Sequence, residues 1–495
     1  MIAALAAALL AFLWLGETDN AQNRVFQTAG VLLLTGFLLL VWLLFFSRLR
    51  WGLRLRLFAS LLVLGTLAAT LFEVRGVSGD LVPILGFRFE GERQFARLTE
   101  SVPELEAPAP GDYPQFLGPG RDATLDGPEL GRDWLANPPR ELWRREVGEG
   151  WSAFAVVGDA AVTQEQRGDL ESVVRYDLET GEEVWIHTDP ARFETVIGGV
   201  GPRATPTIAG GRVYTVGATG LLNCLDLETG ERLWSVDTVA QTGGVVPDWG
   251  KSCSPLVTGD KVVVSAGGPA GSSLVAYHRI TGERLWGGGS DGSGYSSPSL
   301  HELAGVPQIV ILNRGSVAGH DPSTGELLWS HEWAAQQPNV AQPVPVGPDR
   351  LLVSSGYGIG TSLLEISRGG DGFAVEEIWR SPRLKAKFAN FVVKDGTIYG
   401  LDDGTFTAVD AATGQRLWKR GRYGHGQLLL VDDLILLQAE DGELVLLEAH
   451  PGEHRELATF PVFDTKTWNS PVLAGRYLLV RNHLEAACFE LPVAG

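Results

Sequence analysis

Few residues of this 495-residue chain stand at the spacings that chemistry requires. Gly288-Gly289-Ser290-Asp291-Gly292 has the form of a nucleophile elbow, which would make Ser290 an acyl acceptor. That device needs a strand, a sharp turn and a helix, and here the residues follow directly on a tryptophan-ended strand in a glycine-rich loop. The match reads as chance. His450 and His454 have the separation of two helical metal ligands, but Pro451-Gly452 between them forbids the helix. Cys224, Cys253 and Cys488 are at least 29 residues apart and make no C-x-x-C, haem or zinc pattern. No catalytic residue and no metal ligand is expected from these motifs. Lysine occurs 7 times against 33 arginines, and Lys251, Lys385 and Lys387 are three of the seven. The net charge of −19 argues against a nucleic-acid partner.

The first 72 residues are of another kind. Three apolar runs, about 2–15, 25–46 and 57–72, read as transmembrane helices. Four arginines lie in the loop 47–56, whereas the loop before residue 25 holds Glu17, Asp19 and Arg24. The positive-inside rule then puts the arginine loop in the cytoplasm and everything after Phe72 outside it. Residues 73–112 carry eight acids against four arginines and end in a Pro-rich stretch, so they read as an acidic linker too poor in apolar residues to pack. The expected location is the inner membrane of a bacterium, with residues 73–495 on the periplasmic side.

Beyond the linker one phrase organises the chain. Asp177-Leu178-Glu179-Thr180-Gly181-Glu182-Glu183-Val184-Trp185 returns at Asp226…Trp234, Asp321…Trp329 and Asp410…Trp418, and as His278…Trp286 with the aspartate replaced. The pattern is that of a hairpin. A strand ends at the Asp, whose carboxylate accepts turn N–H groups; the Gly supplies a positive φ; the next strand ends in an indole that suits stacking on a neighbouring copy. From Trp143 the aromatic positions recur at intervals of 42, 49, 52, 43, 50, 39 and 42 residues, ending at Phe460. Four short strands per period of 40–50 residues is the pattern of a propeller blade. In the copy ending at Trp234 the strands are placed at 204–208, 212–216, 221–226 and 232–234. The prediction is an all-β, eight-bladed β-propeller of four-stranded antiparallel blades over 113–495. Its last blade, which has only three strands of its own, is closed by 141–144.

These motifs resemble the PQQ-like (quinoprotein) β-propeller superfamily, which includes the quinoprotein alcohol dehydrogenases and BamB-type lipoproteins. Tyr113-Pro114-Gln115-Phe116-Leu117-Gly118-Pro119 is similar to the lead-in of bacterial PQQ-like repeat proteins. The chain departs from the dehydrogenases in lacking an adjacent cysteine pair, and from the BamB type in lacking a lipidated N-terminal cysteine. The resemblance implies a central channel lined where each blade's innermost strand opens. Those positions give the candidate ligand-binding residues Arg203, Lys251, Ser252, Tyr295, Gln342, Lys387, Asn390, His425, Gln427, Trp468 and Asn469. Their basic members would favour an anionic or hydroxylated ligand, with Tyr295 and Trp468 as stacking faces; alternatively, the polar groups satisfy one another. None of them is a carboxylate, so no cofactor is expected, PQQ with calcium being the alternative. The function expected is a membrane-tethered, non-enzymatic binding scaffold with protein partners in the cell envelope. The alternatives are a PQQ-dependent oxidoreductase and a sensor of carbohydrate or small anions.

Overall fold

The computed structural model describes residues 2–15, 21–77, 83–87, 104–370 and 372–493. They fall in two units, Met1–Glu100 and Ser101–Gly495. The acidic first loop with Glu17 and Asp19 lies outside the described residues, as do linker residues 88–103.

In the first unit the helices are Ile2–Leu15, Ala21–Val41 running into a π-turn at Trp42–Phe46, and Trp51–Leu71. Trp51–Leu71 is long and apolar enough to cross a bilayer; the apolar stretch Gly30–Phe46 is shorter. Ile2–Leu15 rises only roughly 21 Å at 1.5 Å per residue, against a hydrocarbon core of about 30 Å. The last helix begins six residues earlier than its apolar run indicates and takes in Arg54 and Arg56, leaving only 47–50 as loop. Arg54 shows why. Its guanidinium donates to the carbonyl of Leu44, which the end of the preceding helix leaves without an intrahelical partner, and to those of Ser47 and Leu49 in the loop. The linker is also more structured than its composition indicates, because Phe72–Val77 and Pro83–Phe87 pair as an antiparallel hairpin.

The second unit is the eight-bladed propeller. Seven blades begin at Ala155, Thr207, Leu256, Ser299, Val344, Phe391 and Gln427, each with four antiparallel strands in chain order. The eighth takes Val472–Ala474, Tyr477–Arg481 and Glu485–Glu490 and is completed by Arg140–Glu146. In blade 2 the two middle strands, Arg212–Val216 and Leu221–Asp226, fall where the sequence puts them. The inner strand shrinks to Thr207–Ala209, because the residues before Pro206 bond to the next blade instead: Thr205 N–H donates to Ser254 Oγ (2.8 Å).

The repeat phrase makes the turn its residues dictate. Asp226 Oδ1 accepts from the N–H groups of Glu228 and Thr229 and from Thr229 Oγ1 at 2.9–3.1 Å, and Gly230 takes φ +70°. In the altered copy His278 Nδ1 takes the place of the carboxylate, 3.2 Å from Thr281 N. A bulge follows in all eight blades, between the last residues of the third strand and the start of the fourth, and it re-aims the aromatic residue. The indole then lies on the Gly of the next blade's turn: Trp143 on Gly181, Trp185 on Gly230, Trp234 on Gly282, Trp286 on Gly325, Trp379 on Gly414. Trp143, Trp185, Trp234 and Trp379 also donate from Nε1 to a carbonyl three residues before that Gly, at 2.9–3.2 Å. Trp329 faces the altered turn of blade 5 and bonds Gln308 Oε1 instead. The three cysteines are buried free thiols.

The lead-in does what the repeat pattern could not show: it crosses under the propeller. Tyr113 pairs with Val156 of blade 1, and Pro114 O accepts from Ile208 N of blade 2. The buried Arg121 donates to Ser254 O and Pro255 O of blade 3. Thr124–Leu125 then adds a parallel fifth strand to Leu430–Val431 of blade 7. The end of the linker is fastened too, since Gly475 N donates to Gly111 O and Gly158 N to Asp112 Oδ1. Residues 109–112 are therefore part of the folded unit and not a free tether.

Candidate functional site

Where the inner strands open, residues of all eight blades surround one axial cavity of about 150 Å³. Strand alternation decides which side chains reach it, because successive residues point to opposite faces. Trp151 and Ala153, Arg203 and Thr205, Phe388 and Asn390, and Trp468 and Ser470 line it in i, i+2 pairs, while the residues between them are buried in the blades. Ser252, Tyr295, Val340 and Gln427 complete the wall, with Trp249 and Ile197 from loops. Phe116 of the lead-in also lines this axial funnel.

Six of the sequence candidates meet here: Arg203, Ser252, Tyr295, Asn390, Gln427 and Trp468. The other five do not line the cavity. Lys251, one residue out of register with Ser252, is buried with Nζ bonded to Ala266 O and Ser293 Oγ (2.6 Å each), and burial pushes it down to about 8. Asn469 is likewise out of register and donates to Ser152 O (2.8 Å). Gln342 clasps both the N–H and the C=O of Ser297. Lys387 sits over the rings of Tyr357 and Phe388 at 4.9 and 5.2 Å, and the His425 ring packs against Phe388 at 5.3 Å.

A cationic ring therefore does not form. Arg203 alone of the four basic candidates lines the cavity, and its guanidinium already donates to the carbonyls of Gly198, Gly199 and Gly201 and stacks on Phe193 at 4.6 Å. Ser252, Gln427 and Asn390 each make a bond within the fold. Ser252 Oγ donates to Tyr295 O, Gln427 Nε2 to Phe388 O, and Asn390 Oδ1 accepts from Gln342 N, at 2.8–2.9 Å. What faces the funnel is aromatic. Trp151 and Trp468 lie 4.9 Å apart, Trp249 stacks on Tyr295 at 5.2 Å, and Phe388 touches Trp249 and Trp468 at 5.6 and 5.2 Å. Lys466 Nζ stands over Trp468 at 4.0 Å and Trp151 at 4.9 Å.

Trp151 and Phe388 stand at inner-strand openings and are missed by a criterion that selects polar residues; Trp249 and Lys466 lie outside the inner-strand register and carry no repeat signal. Two carboxylates also stand close behind the wall. Glu440 accepts from Trp468 Nε1 (2.7 Å) and His425 N (2.9 Å); against the upward push of burial these bonds hold it below the ordinary carboxylate range. Glu171 accepts from Ala218 N, and burial pushes it up to about 7. Among the described residues no carboxylate lines the cavity, and no group of three His, Cys, Asp or Glu is placed to hold a metal ion. This donor set does not fit a calcium-bound quinone.

A family profile described as "Outer membrane protein assembly factor BamB" matches residues 169–420 and 376–488. The chain belongs to this PQQ-like β-propeller family. No curated protein matches it in sequence. Among solved structures, BamB from Moraxella catarrhalis superposes with a TM-score of 0.53 at 17% identity, over 72% of this chain and 99% of that one. The quinohemoprotein alcohol dehydrogenase of Comamonas testosteroni gives 0.54 at 14% identity, over 78% and 81%. The computationally designed protein Ika8 gives 0.52 at 15%, over 71% and 99%. BamB, an alcohol dehydrogenase and a designed protein thus share the fold, which by itself assigns no activity.

Proposed function

We propose that this chain is a membrane-tethered, non-enzymatic binding scaffold whose propeller stands on the outer side of the cytoplasmic membrane. The funnel carries the reading: Arg203, Ser252, Asn390 and Gln427 each bond within the fold, no carboxylate among the described residues lines it, and its open faces are aromatic. Such a wall offers contact area without a general base or a metal cradle. The apolar helix Trp51–Leu71 supports the tether, and the arginines before it support the orientation. The family description supports a setting in the assembly of envelope proteins.

The test has two arms. Cross-linking in intact membranes should capture a specific envelope protein on the propeller, and a reporter fused after Asp112 should be active outside the cytoplasm. The purified chain, titrated with PQQ and calcium, should give no dye-linked oxidation of alcohols or aldoses. Calcium-dependent turnover that disappears on replacing funnel residues would put the protein in the enzyme class instead.

A further inference from the structure

We infer that the funnel seats one aromatic side chain of an extended polypeptide, presented beside acidic residues. This rests on the scaffold reading and names the chemistry of its partner.

Size comes first. A cavity of about 150 Å³ walled by Trp151, Trp249, Tyr295, Phe388 and Trp468 has room for a single ring, since an apolar cavity of roughly that volume holds benzene. It is small for a tricyclic cofactor or an oligosaccharide. Chemistry selects in the same direction. A sugar needs several hydrogen-bond partners, and Arg203, Ser252, Asn390 and Gln427 already bond within the fold. An aromatic guest needs only the ring faces and edges that remain.

The surroundings indicate a chain and not a free small molecule. Tyr295 is shared with a second cavity of about 300 Å³, lined by Val245–Asp248, Gly292–Tyr295, Arg314 and the loop 335–339. Funnel and groove thus adjoin at Tyr295. Exposed Val196, Ile197 and Val245 stand on the two loops that supply Ile197 and Trp249 to the wall, and they give a flanking backbone apolar surface to lie on. Charge complements this. The ammonium groups of Lys387 and Lys466 lie over wall rings, and neither makes an ion pair among the described residues. In a chain of net charge −19, two such cations beside the funnel favour carboxylates flanking the seated ring.

The experiment uses the full-length chain in detergent and dye-labelled Gly/Ser dodecapeptides carrying one central Phe, read by fluorescence anisotropy. Phe between two Asp residues should bind at least roughly tenfold more tightly than the same peptide with Ala in place of Phe. Trp249→Ala, a loop change checked for an unaltered melt, should abolish that difference. Lys387→Glu with Lys466→Glu should weaken the Asp-flanked peptide roughly fivefold and leave a Ser-flanked Phe peptide little changed. Equal binding of the Phe and Ala peptides, indifference to Trp249→Ala, or free phenylalanine amide binding as tightly as the peptide would overturn the inference. If peptide binding fails while membrane cross-linking still captures a partner irrespective of Trp249, the scaffold reading stands and only its chemistry falls. If both fail, the two fall together.

Discussion

Glu171 is a carboxyl group placed where solvent does not reach, its oxygens against Gly217 and the Ala218 N–H, with Asp189 adding negative charge nearby. Burial is the main cause of its rise from 4.5 to about 7. The folded state therefore holds a proton that the unfolded chain releases above its ordinary value. Its stabilising contribution is complete below pH 4.5 and is lost as the pH rises through 7. Above that pH the ionised group costs about 3 kcal/mol at 1.36 kcal/mol per pKa unit. Glu171→Gln keeps an acceptor for Ala218 N–H and removes the charge. Melts at pH 5 and pH 8 should show the variant gaining at pH 8 and gaining little at pH 5; an equal effect at both would mean that Glu171 is not protonated in the fold. At this scale the sequence was legible to the strand but not to the side chain. It located every inner-strand opening, yet Lys251 and Asn469 were read as facing the axis when a one-residue offset turns them into the blades. The choice of polar residues as candidates also assumed that they would be free. Their hydrogen bonds to neighbouring blades depend on backbone that no local pattern reveals.

Between blades, Gly and Trp of the repeat phrase form one device. A Cβ built on Gly230 would stand 2.6 Å from the Trp185 ring, and the residue also has φ +70°. Either condition calls for glycine; together they explain why Thr-Gly is kept in all five clear copies. Gly230→Ala should cost about 3 kcal/mol, combining roughly 1–2 for a left-handed non-glycine residue with roughly 1–3 for overpacking. Gly211→Ala has a positive φ and no ring in contact, and should cost only the first part. Denaturant titration of the two variants separates the terms, and equal losses would show that the indole moves aside freely. The hairpins were legible because turn chemistry is local: the Asp, Thr and Gly, as in Asp177–Gly181, meet within five residues. The start of the last N-terminal helix was not. Hydropathy marks where apolar residues begin, whereas Arg54 extends the helix by bonding carbonyls up to ten residues earlier.

At the scale of the whole molecule, the blade count and the split last blade followed from period alone, but the path of the lead-in did not. Residues 113–125 have no repeat, and Arg121 reaches partners more than 130 positions away. The closing strand spans still more sequence, pairing Trp143 with Cys488 and Arg140 with Glu490. Its exposed ion pairs, such as Arg140–Glu490, contribute little, since water screens them and ordering two long side chains costs entropy. Closure rests on the ladder to Glu485–Glu490 and on what the strand does on its other side. Trp143 docks on Gly181 of blade 1, and Arg145 lies over Tyr176 at 4.6 Å. One strand thus completes blade 8 and joins it to blade 1. Deleting 138–147 while keeping the lead-in should leave Glu485–Glu490 as an open, apolar edge and give larger assemblies than the intact chain on light scattering. Arg121→Met tests the other tie separately. It leaves Ser254 O without its buried guanidinium donor, while Pro255 O keeps Thr207 Oγ1 (2.6 Å), and should lower the melt at a cost of roughly 1–3 kcal/mol for the unmet group, with the oligomeric state unchanged. A deletion variant that keeps the intact chain's assembly size and melt would mean that the ring is held by its inter-blade contacts alone, with the closing strand dispensable.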